Sequence, residues 1–252
     1  MGKIINKMYG GEIELVFDNL AHRYTVNGET IPGATIALGI LAKPALTFWA
    51  ANMAADYFKD NIKPGVSLDE VEIDAIWKAA KKSHMTKKDA SASLGTMVHK
   101  YVEDYINGLN PTLSVNPDMK AAEEKFLKWV EEHKVKFLCA EQPIYSKKFK
   151  YAGTLDFICV IDGNMWLGDL KTSNGIYDEY VAQAAAYKAA RNEEYPDEKY
   201  MGIVIVRVGK DDAEIEVKTK LSTELPPFYE LFLNCLGTYR ALKNVKDLEE
   251  KK

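Results

Sequence analysis

The 252-residue sequence has few cysteines and no long uninterrupted apolar segment. Its three cysteines are far apart, and none belongs to a C-x-x-C pair, so zinc-ribbon and thioredoxin motifs are excluded. An odd, sparse cysteine count is typical of a reducing cytosol. The most apolar stretch, residues 36–55, is divided by Lys43 and Pro44, which favours packed helices over a membrane span. Because residues 1–18 also lack an apolar run, we expect a cytoplasmic protein with no membrane segment and no secretory signal peptide.

The chain also lacks an excess of positive charge. Lys and Arg total 33 against 37 Asp and Glu, which gives a formal net charge of −4. This balance argues against a protein that coats nucleic acid by bulk charge, although it leaves room for a local basic groove. No Walker A sequence is present, so the chain is not an ATP-driven helicase. The hydrophobic fraction of 47% and the charged fraction of 28% are ordinary for a globular protein.

The order of predicted elements is helices, antiparallel strands, a helix, a strand pair and a helix. Expected strands cover residues 12–17, 23–26, 136–141, 144–149, 153–161, 165–170, 200–208 and 213–217. Expected helices begin at Pro44, at a capping box of Ser67 and Glu70, near Ser91, at Asn116-Pro117, near Tyr177 and at Pro226-Pro227. Tight turns are expected at Asn27-Gly28 and Asp162-Gly163, with another at residues 209–212. We predict an α/β fold in which a mixed central β-sheet is flanked by helices.

The most informative stretch for chemistry is GTLDFICVIDGNMWLGDLKTS. It places Asp156 in one strand of a hairpin, with Asp169 and Lys171 on one face of the next strand. Two carboxylates about 4 Å apart repel by roughly 4 kcal/mol at an effective dielectric constant of 20, and a divalent cation would offset that repulsion. Carboxylates, a carbonyl and waters are ligands for Mg²⁺ or Mn²⁺. An Asp-x-Lys on a strand is also typical of a surface ion pair, so this alternative stays open.

Three further features of the sequence support a functional site around Asp156, Asp169 and Lys171. His99 and Glu103 are four residues apart and share one face of a predicted helix. Gln183 and Tyr187 have the same spacing in an Ala-rich helix. Glu141 lies in the strand that precedes the hairpin. It is interpreted either as a site residue or, nearly as well, as an exposed glutamate of a strand.

In this order the motifs resemble the RecB-type branch of the PD-(D/E)XK nuclease superfamily. The series reads G-x-x-x-H-x-x-x-E from Gly95, G-x-x-D from Gly153, D-x-K-T-S from Asp169 and Q-x-x-x-Y from Gln183. Residues 24–54 also look like the N-terminal region of phage-encoded exonucleases of this branch, and the GTLD and DLKTS motifs are similar to those of the mitochondrial genome maintenance exonuclease. The resemblance implies a single nuclease domain over residues 1–252. A restriction-endonuclease-like core would cover residues 66–252, and a β-hairpin and helical extension residues 1–65.

The resemblance also implies an activity and the residues that perform it. The protein would be a Mg²⁺- or Mn²⁺-dependent DNA exonuclease of phage type, in which a metal-activated water attacks the phosphodiester. Lys171, Asp156, Asp169, Gln183 and Tyr187 would form the catalytic set. The metal ligands would be His99, Asp156, Asp169 and the Leu170 carbonyl, with Glu103 or Glu141 as a further candidate. Three cysteines are too few for the four-cysteine iron–sulfur site of some relatives, so we expect neither a cluster nor ATP.

DNA, single- or double-stranded, is the expected partner, with a phage recombinase or a single-strand-binding protein as a further one. The candidate DNA-binding residues are Lys81, Lys82, Lys87, Lys88, Lys147, Lys148, Lys150, Thr172 and Ser173. Two lysine clusters would flank a groove, although each is equally typical of a solvated face. Three alternatives stay open: an endonuclease, a nuclease subunit of a recombination or repair complex, and a catalytically silent DNA-binding module.

Overall fold

The computed structural model describes residues 2–209 and 214–250, and it begins with a small antiparallel sheet. The sheet has the order β1-β2-β3-β4. Its strands are β1 (Lys3–Met8), β2 (Ile13–Asp18), β3 (Arg23–Val26) and β4 (Glu29–Ile31). Asn27 and Gly28 join β3 to β4 with φ values of 50° and 80°, the left-handed conformation that a tight two-residue hairpin turn requires. The expected hairpin is therefore confirmed, as part of a larger sheet.

A five-stranded mixed sheet forms the centre of the fold, in the order β5-β6-β7-β8-β9. Its strands are β5 (Lys136–Ser146), β6 (Tyr151–Ile161), β7 (Asn164–Lys171), β8 (Tyr200–Arg207) and β9 (Glu216–Leu221). Only β7 and β8 pair in parallel, and the other neighbours are antiparallel. The predicted turn at Asp162-Gly163 joins β6 to β7, with both φ values positive. The prediction of a mixed sheet is confirmed.

Helices cover both faces of this sheet. In chain order, the α-helices of the described residues are α1 (Ala34–Leu38), α2 (Pro44–Asn61), α3 (Glu70–Ile106), α4 (Pro117–Glu132), α5 (Asp178–Glu194) and α6 (Pro226–Glu249). On one face α1, α5 and α6 pack on Leu155, Leu167 and Ile203. On the other face α4 and the last turns of α3 pack on Phe157 and Leu170. The sheet is thus the middle of three layers, and its side chains are buried on both sides.

The chain divides into two compact units. The first combines the residues up to Leu41 with those from Val98 onward, and it contains both sheets. The second, Ala42–Met97, is formed by α2 and most of α3. The prediction of a single nuclease domain with an extension stays a prediction.

Several predicted boundaries are wrong, each for a local reason. One continuous helix, α3, replaces the two helices expected around Ser67–Lys82 and Ser91–Ile106. Its start is capped by Asp69 and Glu72, which exchange backbone and side-chain hydrogen bonds of 2.8 and 2.9 Å, and not by Ser67 and Glu70.

The strand predictions also need correction. One strand, β5, replaces the two expected before Gly153, because a bulge near Cys139 keeps the pairing with β6 intact. The strand expected at 213–217 is found at Glu216–Leu221. The turn expected at 209–212 falls largely outside the described residues. The first strand, β1, has no counterpart among the expected strands.

None of the described helices is long and apolar enough to cross a membrane. Helix α2 begins at Pro44, and its charged residues, Asp56, Lys59 and Asp60, lie in its second half.

Gly168 provides a test of the packing that holds the hairpin β6–β7 together. A Cβ at Gly168 would lie 1.8 Å from Cε2 of Phe157, and the Phe157 ring is fully buried against Trp129 and Phe137. Because the ring has nowhere to move, we expect Gly168→Ala to lower the free energy of unfolding by about 1–3 kcal/mol, measured by urea denaturation.

Gly237→Ala is the matched control. A Cβ there meets nothing within 4 Å, and Gly237 lies inside α6, where alanine favours the helix. A Gly168→Ala variant as stable as the Gly237→Ala variant would contradict the packing described here.

Candidate metal centre

The site is built where strands β6 and β7 separate. Their register runs from the Ile161/Asn164 pair to the Phe157/Gly168 pair. One residue further along each strand stand Asp156 and Asp169, and there the Leu170 N–H donates a 2.7 Å hydrogen bond to Oδ2 of Asp156. A carboxylate therefore takes the place of a main-chain acceptor at the point where the strands diverge.

Glu141 reaches the same place from the edge strand β5. The pairs Ala140/Phe157 and Gln142/Leu155 flank it, so it lies opposite Asp156. Its φ of 48° is left-handed, which costs a residue with a Cβ about 1–3 kcal/mol and is a feature that concentrates at functional sites. Loss of hydration, followed by the charge of Asp156, raises the pKa of the Glu141 carboxyl to about 8.

His99 completes the cluster from the last turns of α3. Its Nδ1 lies 3.7 Å from Oδ2 of Asp156. One ligand atom each from His99, Glu141 and Asp156 lie within 4.8 Å of one another, and within residues 2–209 and 214–250 no other group of three such side chains comes together in this way. Two carboxylates and an imidazole at this spacing are a donor set that could hold a divalent metal ion.

Asp169 and Lys171 form a buried ion pair beside this cluster. Lys171 Nζ donates a 2.8 Å hydrogen bond to Oδ1 of Asp169 and lies 2.7 Å from Oδ2. Burial raises the pKa of the Asp169 carboxyl, and the ammonium of Lys171 opposes that rise. The Lys171 pKa is itself raised: burial pulls it down, but the carboxylates of Asp169 and Asp156 outweigh burial. The ammonium form of Lys171 is therefore favoured, and it lies within ion-pair distance of Asp169.

A polar network from α5 holds Lys171 in place. Gln183 Oε1 accepts a 3.2 Å hydrogen bond from Lys171 Nζ, while Gln183 Nε2 donates 2.8 Å bonds to Thr35 Oγ1 and Tyr187 Oη. Burial raises the pKa of Tyr187, so its hydroxyl stays protonated. The Tyr180 ring lies 5.0 Å from the Lys171 ammonium. Sequence reasoning missed Thr35 and Tyr180, which carry no spacing signal relative to the other site residues.

The G-x-x-D motif has a packing reason of its own. A Cβ at Gly153 would lie 2.5 Å from the Tyr187 ring, so the ring needs a glycine beneath it. The Tyr187 ring therefore packs directly on Gly153, which lies three residues before Asp156 in β6. The two motifs that begin at Gly153 and Gln183 meet in this contact.

Other predicted site residues take different places. Glu103 accepts from Lys100 at 3.2 Å on the surface of α3, and it adds to the rise in the Glu141 pKa. Leu170 contributes its N–H to Asp156, and its carbonyl remains a predicted ligand. Ser173 Oγ donates to the Gly175 carbonyl, so it shapes the loop after β7. Thr172 is half-buried in the same loop.

The predicted lysine clusters are largely exposed and lie in different units. Lys81, Lys82, Lys87 and Lys88 are on α3 in the second unit. Lys147, Lys148 and Lys150 are in the turn between β5 and β6, about five residues along β6 from Asp156, or roughly 15 Å. Lys147 forms an ion pair with Glu12, and this pair would compete with the binding of a phosphate to Lys147.

The buried carboxylate of Asp169 is balanced by the Lys171 ammonium. Its Oδ2 lies 2.7 Å from Lys171 Nζ, so a cation already meets this buried oxygen. The donors left for a divalent ion are His99, Glu141 and Asp156, which would hold it.

Comparisons with known proteins add little. No family model matches the chain, and no curated protein matches it. Among solved structures, the crystal structure of SSO0001 is similar at 12% identity and a TM-score of 0.34, over 79% of this chain and 87% of that one. A likeness this weak carries no argument, so function has to be inferred from the residues themselves.

Glu141→Gln tests whether Glu141 belongs to the cluster. Its carboxyl has a pKa of about 8 in the folded protein and 4.5 ordinarily, so between these values folding takes up a proton. Stability of the metal-free protein should then fall as the pH rises through this window. We expect Glu141→Gln to flatten that fall in thermal unfolding and, because it removes a ligand, to weaken Mn²⁺ binding in calorimetry.

Glu124→Gln, at an exposed glutamate paired with Lys120 on α4, is the control and should leave both measurements unchanged. If Glu141→Gln behaves like Glu124→Gln in both, Glu141 is not part of the cluster.

Proposed function

We propose that this protein is a Mg²⁺- or Mn²⁺-dependent deoxyribonuclease with a PD-(D/E)XK core, and that it acts as an exonuclease. The observation that carries the proposal is the meeting of His99, Glu141 and Asp156 beside the buried Asp169–Lys171 pair. These residues come from α3 and from three neighbouring strands of the sheet. Motifs far apart in the sequence therefore converge on one place.

The proposed roles follow from the contacts. His99, Glu141 and Asp156 would hold the divalent ion, and Asp169 holds Lys171 beside them. The ion would supply Lewis-acid stabilisation of the phosphodiester and lower the pKa of a water. Lys171 is fixed by Asp169 and Gln183, and its ammonium would orient the attacking water and stabilise the negative charge that develops on the phosphate. Gln183 and Tyr187 are positioning residues in this scheme.

The alternatives differ in what they require of the site. A catalytically silent DNA-binding module has no need of a buried ammonium held by Asp169 and Gln183, and ordering these groups costs side-chain entropy. An endonuclease, or a nuclease subunit of a recombination or repair complex, would use the same residues. Degradation of linear DNA with no cutting of closed circular DNA would separate an exonuclease from an enzyme that cleaves within a strand, whether that enzyme acts alone or in a complex.

Lys171→Ala tests the proposed chemistry. We expect purified wild-type protein to degrade linear DNA with Mn²⁺ or Mg²⁺ and to stop when the metal is chelated. Lys171→Ala should lower the rate by about 10²–10³-fold, since it removes one preorganised charge from the transition state. Gel or fluorescence assays measure the rate, and circular dichroism checks the fold.

The control is Lys220→Ala, which removes a lysine on β9 that pairs with Glu224. It should keep wild-type activity. Full activity in Lys171→Ala would reject the mechanism, and no metal-dependent degradation by the wild type would reject the function.

The lysines of α3 generate a separate prediction about DNA affinity. If Lys81, Lys82, Lys87 and Lys88 bind phosphates, their replacement by glutamine should reduce the slope of log affinity against log salt by roughly 0.7–0.9 for each phosphate that is no longer neutralised. Fluorescence anisotropy with labelled DNA measures this slope. An equal set of glutamine substitutions at Lys120, Lys128, Lys243 and Lys246 is the control. Equal slopes in the two variants would assign these α3 lysines to a solvated surface.

A further inference from the structure

A polar cleft adjoins the metal centre on the edge of the central sheet. It has a volume of about 310 Å³ and lies between β1, β5 and the end of α5. Glu141 lines this edge cleft and also belongs to the cluster with His99 and Asp156. The volume is at the lower end of the range that holds small ligands, so the edge cleft has room for one nucleoside and not for a duplex.

The edge cleft is lined by groups of both signs. Lys7 and Arg191 are cationic, Arg191 is already paired with Glu198, and Glu141 and Glu194 contribute carboxyl groups. The lining is therefore not a cluster of cations of the kind that binds a phosphate. Asn6 and Gln142 add amide groups, which offer both donors and acceptors. Such a lining suits a neutral, flat group rich in hydrogen-bonding atoms.

One wall is a rigid stack of two flat side chains. The Arg191 guanidinium lies 3.6 Å from the centre of the Tyr195 ring. Two hydrogen bonds to Glu198, of 2.8 and 2.7 Å, hold the guanidinium in one plane. Tyr195 is 40% exposed, so the stack is open to a ligand. Flat cationic and aromatic surfaces of this kind bind nucleobases whatever their sequence.

We propose that the edge cleft binds the nucleoside of a nucleotide whose phosphate is held at the metal centre. The ligand class is a deoxynucleoside monophosphate, either as the terminal residue of a strand or as the released product. This inference rests on the proposed nuclease function and adds to it a site for the base and sugar. It also makes free mononucleotide an inhibitor of the enzyme.

The test compares mononucleotide with phosphate. Calorimetry in the presence of Mn²⁺ measures binding of deoxyadenosine 5′-monophosphate, deoxyadenosine 3′-monophosphate and inorganic phosphate to the full chain. We expect at least one mononucleotide to bind more tightly than phosphate. Tyr195→Ala and, separately, Asn6→Ala should weaken that binding by about fivefold or more while leaving phosphate affinity unchanged. Asn164→Ala, at an exposed asparagine where the turn between β6 and β7 ends, should change neither.

The outcomes separate this inference from the function on which it rests. If the wild type degrades DNA but binds mononucleotide no better than phosphate, the edge cleft is not a nucleoside site and the nuclease assignment stands. The same holds if both cleft variants keep wild-type mononucleotide affinity. If the wild type does not degrade DNA with Mn²⁺, the function fails and the inference fails with it.

Discussion

The hydrogen bond from the Leu170 N–H to the Asp156 carboxylate is the interaction on which the site depends. It lies where β6 and β7 stop pairing, and there a side-chain carboxylate accepts the hydrogen bond in place of a main-chain carbonyl. This contact fixes Asp156 at the opening, where His99 from α3 and Glu141 from β5 meet it. It also fixes the start of the segment that carries Asp169 and Lys171. The two strands thus stop pairing at the place where the proposed metal centre needs side chains that are not part of the sheet.

Charge explains why this arrangement favours a cation. Asp156 lies beside Glu141 on one side and beside the Asp169–Lys171 pair on the other, so the Lys171 ammonium serves the two aspartates. Burial and the charge of Asp156 raise the pKa of the Glu141 carboxyl. A divalent ion would offset the repulsion between Glu141 and Asp156.

Parts of the site could be predicted because short-range rules govern them. The Asp162-Gly163 turn brings Asp156 and Asp169 side by side, and strand alternation puts Lys171 on the same face as Asp169. Helical spacing likewise places Gln183 beside Tyr187. Thr35 could not be predicted, since its contact with Gln183 joins residues 148 apart. The left-handed backbone of Glu141 could not be predicted either, because it depends on how β5 pairs with β6. The long α3 was missed because local capping signals divide a helix that is continuous in the structure.

Diffraction from crystals of the protein soaked in Mn²⁺ is the most direct measurement of the central claim. Anomalous scattering locates manganese without reference to activity. We expect a peak bounded by His99, Glu141 and Asp156. A manganese-soaked crystal with no peak there, with the Lys171–Asp169 pair closing the space, would contradict the proposed metal centre.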